Sequence, residues 1–196
     1  MSAKTVSVFS RVKMPLSMAK ILAIKFFEGP TLKVAKSLLG KTLVRKSGAK
    51  LIRGTITETE AYVGPLDKAS HASRGITPRT KIMFGDCGMI YVYLIYGMYY
   101  CLNIVTGKRG YPAAVLIRGV VSDGLNLNGP GKVTKYFNID KNLNAKKICK
   151  NSCLWIENSA EIDPKEIKSG PRIGVNYAGI WAKKPRRFYL KQKEAI

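Results

Sequence analysis

Two glutamates on one predicted strand, Glu58 and Glu60, are the residues of this chain best suited to acid–base chemistry. Side chains two residues apart on a strand point to the same face, so these carboxylates lie close together and repel. Such repulsion can raise the pKa of one of them. A carboxylate of this kind can activate water or steady a cation, and a pair can also bind a hard metal ion. The segment alone fits an exposed strand face equally well.

A run of tyrosines forms a second group that could contact a ligand. Its members are Tyr91, Tyr93, Tyr96, Tyr99 and Tyr100. Tyr96 precedes Gly97, where the chain is expected to turn, and an aromatic ring at a turn is exposed. Such a ring can stack on bases or wedge between them. For Tyr99 and Tyr100 the favoured interpretation is packing on a core or sheet face.

The only histidine, His71, lies in a loop just downstream of the two acids. A lone histidine is more often a structural hydrogen-bonding residue than a catalyst, although its closeness to Glu60 and Tyr62 favours a place at the site. Residues 128–132 (NGPGK) form a glycine-rich loop that opens a predicted helix and could bind phosphate through its amides. The spacing and the missing final serine exclude a P-loop.

The charge of the chain indicates a polyanionic partner. Its 196 residues include 34 Lys and Arg against 12 Asp and Glu, a formal net charge of +22. Nucleic acid is the first candidate and an anionic membrane surface the second, with a solvated lysine-rich surface as the plain alternative. The sequence has no apolar run of about 18 residues, so no membrane span is expected. The basic residues are concentrated in 1–50, 132–150 and 183–187.

Four cysteines without a C-x-x-C pair, together with one histidine, make a two-pair zinc site improbable. We expect free thiols in a reducing compartment and no metal. In a prokaryote that compartment is the cytoplasm or nucleoid, and an organellar or nuclear location stays open. Residues 1–20 are interpreted as a basic, flexible extension. A transit peptide and alternative starts at Met14 or Met18 are further readings of it.

The predicted elements follow the order of one mixed α/β domain. A helix is expected to begin at residues 29–31, with Leu32, Ala35, Leu38 and Leu39 on one face and Gly40 as its stop. Residues 63–88 are interpreted as an ordered loop, and short helices fill 132–150. Short connections predict a mostly antiparallel sheet. The predicted strands are 42–45, 51–62, 90–95, 100–105, 113–121, 153–157 and 187–190.

Several motifs closely resemble those of the alkyladenine (3-methyladenine or N-methylpurine) DNA glycosylases, in the same order. They are 58–65 (ETEAYVGP), 91–99 (YVYLIYGMY), 128–132 (NGPGK), 170–175 (GPRIGV) and 181–185 (WAKKP). The resemblance covers about residues 25–191, and 21–196 is taken as the glycosylase domain. It implies a single mixed α/β domain with a curved, partly open, barrel-like antiparallel sheet, flanking helices and a protruding β-hairpin. It further implies base-excision repair: cleavage of the bond between a damaged purine and deoxyribose, without metal or organic cofactor.

The resemblance also assigns the catalytic roles. Glu60 matches the general base, which activates a water to attack the sugar carbon. Arg118 matches the arginine that helps hold that water and carboxylate. Tyr96 matches the residue that enters the minor groove and fills the gap left by the flipped nucleotide. Because the transition state resembles an oxocarbenium ion, the carboxylate also serves as its electrostatic partner.

The same resemblance implies which residues form the pocket for the damaged base. Tyr62, His71 and Tyr93 match the residues that sandwich the flipped base, and aromatic faces bind an alkylated purine best when it is cationic. Asn103 matches the asparagine whose bulk disfavours the exocyclic amino group of normal guanine. The lesion spectrum stays open among alkylated adenine, alkylated guanine, hypoxanthine and etheno adducts.

The implied partner is double-stranded DNA containing damaged purines, with no membrane and a monomeric enzyme. Lys132 and Arg172 are predicted to contact the DNA backbone. The chain departs from the family between Val121 and Asn128, where a longer, helix-bearing connection is usual. Two alternatives stay open: a non-catalytic basic module that binds structured nucleic acid, and a bifunctional glycosylase-lyase with a lysine nucleophile.

Overall fold

The computed structural model describes residues 20–159 and 161–191. The basic extension predicted for residues 1–20 therefore lies, apart from Lys20, outside the described residues. Two α-helices occur in the described part of the chain, α1 (Thr31–Ser37) and α2 (Pro130–Tyr136). Short 3-10 helices span Ile24–Glu28, His71–Arg74, Lys81–Phe84, Lys141–Leu143, Lys150–Ser152, Pro164–Glu166 and Asn176–Trp181.

The strands that the structure describes form one large antiparallel sheet. In chain order they are β1 (Thr42–Ser47), β2 (Lys50–Val63), β3 (Ile90–Ile95), β4 (Tyr99–Val105), β5 (Ala113–Ser122), β6 (Leu125–Asn128), β7 (Leu154–Glu157), β8 (Ile167–Gly170) and β9 (Arg187–Leu190). The main path runs β3-β4-β5-β2-β1-β7, with β6 beside β5 and β9 joining β2 to β8. The sheet is not closed. These features confirm the predicted mixed α/β fold with a mostly antiparallel, open sheet and few helices.

Strand β2 changes its partner halfway along its length. Its first half pairs with β1, from Ser47–Lys50 to Thr42–Thr55, whereas Glu58 to Glu60 pair with β9. On its other side, β2 pairs with β5 through two register shifts. Because Glu58 lies opposite Gly119 and Thr59 opposite Ile117, Arg118 has no β2 residue directly opposite it. Irregularities of this kind re-aim side chains, and this one lies at the two glutamates.

The hydrophobic core lies between the sheet and the helices. Helix α1 buries Val34 and Ala35, and Leu38 and Leu39 directly after it are also buried, while Leu32 is 40% exposed. The predicted placement of Leu32 on the same face as Ala35 is therefore wrong, because Thr31 rather than Leu32 occupies the buried face in the first turn. The predicted stop is confirmed: α1 ends at Ser37, and Gly40 follows with φ of 80°.

The short connection after β5 is a tight hairpin. Asp123 and Gly124 both have positive φ, 48° and 78°, and Ser122 lies opposite Leu125. Two consecutive residues with positive φ are characteristic of hairpin turns that match the twist of the strands. Strand β6 thus begins where the sequence predicted only a connection, and β5 and β6 are adjacent without a helix between them.

Candidate active site

One cavity of about 500 Å³ gathers all the predicted catalytic and base-pocket residues. Glu60 and Tyr62 reach it from β2, Arg118 from β5 and Asn103 from β4. The remaining predicted residues on its lining are His71, Tyr93 and Tyr96. The volume lies in the range of pockets that enclose a small organic ligand.

Glu60 is completely buried, and both of its carboxylate oxygens are hydrogen-bonded. The backbone N–H of Ile173 donates to Oε1 at 3.0 Å, and the hydroxyl of Tyr62 donates to Oε2 at 2.8 Å. Burial raises the pKa of Glu60, while these two hydrogen bonds and the charge of Arg118 act in the opposite direction. The carboxylate is therefore fixed in orientation and holds a proton more readily than an ordinary glutamate.

Glu58 lies in a different environment although it is only two residues away. Arg118 Nε donates to its Oε1 at 3.1 Å, and Arg187 Nη1 donates to the same oxygen at 2.9 Å. Arg118 Nε is also 3.7 Å from Oε1 of Glu60, so one guanidinium connects the two acids. Both glutamates are buried, and the alternative of an exposed strand face is wrong.

Aromatic rings form one wall of the cavity. His71 meets Tyr93 edge-on, with ring centroids 4.6 Å apart, and its Nδ1 is 3.2 Å from the hydroxyl of Tyr91. The guanidinium of Arg79 covers Tyr93 at 4.7 Å. Burial and the charges of Arg79 and Arg74 lower the pKa of His71 to about 4. The imidazole is therefore neutral at physiological pH.

Tyr62 contributes both a ring and a hydroxyl to the site. Arg172 lies 4.7 Å from the centroid of its ring. Burial and the neighbouring Glu60 raise the pKa of Tyr62 well above its usual value, so the phenol keeps its proton and donates to Glu60. Asn103 is 3% exposed, and its Nδ2 donates to the carbonyls of Tyr91 and Cys101, which fixes its carboxamide.

The hairpin that joins β3 to β4 carries Tyr96 at its tip, as its sequence position predicts. Tyr96 and Gly97 have φ of 51° and 69°, and the Met98 N–H donates to Ile95 at 3.2 Å. Tyr96 is 84% exposed and Met98 is 65% exposed. This tip presents apolar side chains to solvent beside the cavity.

The glycine-rich loop begins α2 next to this hairpin. Gly129, with φ of 121°, precedes the helix, and a side chain at Gly131 would meet the ring of Tyr99 at 2.8 Å. Tyr99 is 46% exposed, and the rest of its side chain packs against Gly131. This agrees with its predicted place on a sheet face. Lys132 is exposed on the first turn of α2.

The prediction that Arg172 contacts the DNA backbone is wrong for this structure. Its side chain is 0% exposed and forms two hydrogen bonds with Asp67, at 2.6 and 2.7 Å. Its Nη1 also donates to the Ala61 carbonyl at 2.8 Å. A guanidinium enclosed by these partners has no path to a phosphate.

Sequence reasoning missed several residues of the cavity. Arg79 and Met83 come from the long loop before β3, where no periodicity marks a buried position. Cys101 was detectable, because it is two residues before Asn103 on β4 and lies opposite Tyr93. Burial raises its thiol pKa to about 11. Arg79 and Arg118 are the only cationic Lys or Arg side chains on the lining within residues 20–159 and 161–191.

A buried carboxylate in an aromatic pocket, beside an exposed aromatic hairpin, is the arrangement expected of a DNA glycosylase, a hydrolase of N-glycosyl bonds. Comparison with known proteins gives the family. The family model described as Methylpurine-DNA glycosylase (MPG) matches residues 25–194. The chain belongs to the methylpurine-DNA glycosylase family, whose activity is base-excision repair.

Curated relatives agree with this assignment. A protein of Methanocella arvoryzae is 46% identical over 90% of this chain and 95% of its own length. A Myxococcus xanthus protein is 41% identical over 87% and 90%, and a Sodalis glossinidius protein is 49% identical over 79% and 89%. All three bear the provisional name 3-methyladenine DNA glycosylase. Within the described residues, no helix has the length and apolar character needed to cross a membrane.

Proposed function

We propose that this protein removes alkylated or deaminated purines from duplex DNA, with Glu60 as the general base. The reaction requires the damaged nucleotide to leave the stack, at a cost of a few kcal/mol. Glu60 then takes a proton from a water whose oxygen bonds to C1′ of the sugar. The bond from C1′ to the purine nitrogen breaks, and its electron pair leaves with the base. A cationic alkylpurine leaves as the neutral base, whereas a neutral deaminated purine takes up a proton from solvent as it leaves. The other product is an abasic site.

The buried, doubly hydrogen-bonded carboxylate of Glu60 is the observation that carries this proposal. Its two fixed oxygens face a cavity in which an oxocarbenium-like transition state would gain from a nearby negative charge. Arg118 steadies Glu60 and the attacking water. Water, rather than a lysine amine, is the proposed nucleophile, since no lysine lines the described part of the cavity.

The pocket suits a flat base with reduced electron density. The Tyr62 and Tyr93 rings each carry an arginine on one face, Arg172 and Arg79, so the base would stack on the opposite faces. Neutral His71 adds no further positive charge that would repel a cationic alkylpurine. Asn103, held by two carbonyls, cannot swing away from an additional amino group, which supports discrimination against guanine.

The proposed partner is duplex DNA that contains a damaged purine, bound by a monomer. Tyr96 at the hairpin tip fills the space left by the flipped nucleotide, and exposed Lys132 contacts the backbone nearby. One cavity and one hairpin serve a single lesion, so a second copy of the chain is not needed. Light scattering of the protein on a one-lesion duplex is expected to give one chain per duplex.

The test is release of free purine from a duplex with one hypoxanthine, and from methylated genomic DNA, by wild type and Glu60→Gln. We expect Glu60→Gln to lose at least about a hundredfold in rate, because the amide cannot accept the proton, and to keep its affinity for DNA. Glu28→Gln, at an exposed position, is the matched control with wild-type activity. Equal rates for the two variants would show that Glu60 is not the base.

A further inference from the structure

Asp67 and Arg172 form an ion pair that is completely closed to solvent directly behind the pocket. Arg172 binds both oxygens of Asp67, and Asp67 also accepts hydrogen bonds from the Val63 N–H at 3.1 Å and Arg186 Nη1 at 2.9 Å. A buried ion pair is seldom more stabilising than apolar residues of the same volume. Stability alone therefore does not explain why this pair lies directly behind the residues that line the site.

Arg172 reaches Glu60 along two routes. Along the first, its guanidinium packs on the ring of Tyr62, whose hydroxyl donates to Oε2 of Glu60, and its Nη1 holds the Ala61 carbonyl between those two residues. Along the second, the residue next to Arg172 is Ile173, whose N–H donates to Oε1. Both hydrogen bonds that Glu60 accepts thus come from groups that Arg172 contacts or is covalently joined to.

One N–H of the Arg172 guanidinium is buried without a hydrogen-bond partner. Arg172 Nε is the one buried side-chain nitrogen or oxygen in the described chain that has no hydrogen-bond partner. An unsatisfied N–H in a buried cation is costly, and such local conflicts are retained mainly where function requires the arrangement. The orientation of Arg172 satisfies Asp67, Ala61 and Tyr62 rather than its own Nε.

We propose that the Asp67–Arg172 pair is a positioning device that presses Tyr62 and the Ile173 amide against Glu60. The proposal rests on the function proposed above, in which Glu60 is the general base. Neither Asp67 nor Arg172 lies on the cavity lining, so each acts through other residues. Hydrogen bonds to the ionised carboxylate lower the pKa of Glu60 against the effect of its burial. Loosening them therefore raises that pKa and keeps the base protonated to a higher pH.

The test measures single-turnover release of hypoxanthine, and of methylated purines from genomic DNA, between pH 5 and 9. Asp67→Asn leaves Arg172 with only a weaker, neutral partner. In this variant the midpoint of the acid limb, the low-pH part of the pH–rate profile where the rate falls, should move up by about one pH unit. Below the midpoint that shift lowers the rate about tenfold relative to wild type, and the difference narrows at high pH. A merely structural role would lower thermal stability and leave the midpoint unchanged.

Arg172→Lys is the second variant and guards against failure of Asp67→Asn to fold. Lysine keeps the positive charge, but it cannot form two parallel hydrogen bonds or cover Tyr62 as a plane. We expect a smaller shift in the same direction. Glu157→Gln is the matched control, because it disrupts the ion pair with Arg53 at β7, an end of the sheet away from the cavity. It should lower stability without moving the acid limb.

The outcomes separate the two proposals. Acid limbs of Asp67→Asn and Arg172→Lys that coincide with those of wild type and Glu157→Gln would overturn the positioning role. Retained activity of Glu60→Gln in the same assay would instead overturn the proposed base. A shifted limb in either variant, with Glu60→Gln inactive, supports both.

Discussion

At the scale of residues, two adjacent acids have been given different surroundings. Glu58 accepts hydrogen bonds from two arginines, whereas Glu60 accepts hydrogen bonds from a backbone amide and a tyrosine hydroxyl. Divergent environments of this kind separate the roles of paired carboxylates. The sequence predicted the pair from its spacing on β2. It could not predict their partners Ile173 and Arg187, which are 113 and 129 residues away along the chain.

The pH dependence of wild-type excision follows from these surroundings. Because burial raises the pKa of Glu60 and the base must be ionised, we expect the rate to fall with decreasing pH around a midpoint above 4.5, the ordinary glutamate value. His71, with a pKa near 4, should add no inflection between pH 5 and 8. Single-turnover rates between about pH 3.5 and 8 measure both the midpoint and the absence of a second inflection. A midpoint at or below 4.5 would contradict the assigned environment of Glu60.

At the scale of elements, the β3–β4 hairpin could be predicted from the sequence, but the packing of helix α2 against it could be predicted only in part. Alternating Tyr91 and Tyr93, followed by Tyr96-Gly97, is a local pattern that fixes a strand and its turn. The contact between Tyr99 and Gly131 depends on packing of α2, which no local pattern reveals. Strands β6 and β8 were missed because LNLN and IKSG have four residues each and little β-branched character.

Tyr96 provides the first prediction at this scale. Tyr96→Ser removes the ring that would stack in the vacated space, a contact worth about 1–3 kcal/mol for an aromatic residue on a base. We expect weaker binding to lesion DNA and slower excision at low enzyme concentration. Tyr96→Phe keeps the ring and should behave as wild type in the same titrations. If serine and phenylalanine variants are indistinguishable, Tyr96 does not act as a wedge.

Gly131 provides the second prediction at the scale of elements. A methyl group there would lie 2.8–3.2 Å from three atoms of Tyr99, so Gly131→Ala must displace the hairpin from α2. We expect a loss of about 1–3 kcal/mol in the free energy of unfolding, measured by denaturant titration. Gly29→Ala is the control, since its nearest neighbour is at an ordinary 3.6 Å. Equal stabilities would mean that hairpin and helix separate without cost.

At the scale of the whole molecule, the net charge of +22 exceeds what the pocket chemistry needs. The described cavity uses two arginines, and most of the remaining cations are exposed lysines and arginines outside it. Composition alone predicted a polyanionic partner, and the family assignment makes that partner DNA. Which cations face the duplex depends on the folded arrangement, as the burial of Arg172 demonstrates.

Salt dependence of DNA binding tests the contribution of Lys132. Each neutralised phosphate adds about 0.9 to the slope of log affinity against log salt concentration. Lys132→Gln should therefore reduce the slope by about one. Lys50→Gln is the control, because Lys50 lies ten residues from Glu60 on β2, roughly 33 Å at about 3.3 Å per residue. Identical slopes for the two variants would place Lys132 outside the footprint.

Strand β2 pairs with three other strands, and this has a consequence for the order in which the protein folds during synthesis. Glu58 and Glu60 are synthesised in the first third of the chain, but β9 and the 170–175 segment that accompany them are among its last described residues. A nascent chain stopped near residue 160 would have to bury both acids without Ile173, Arg172 or Arg187. During vectorial translation the surroundings of both acids are therefore completed only when the C-terminal segment has been made, and Glu60 is among the last groups to reach its final environment.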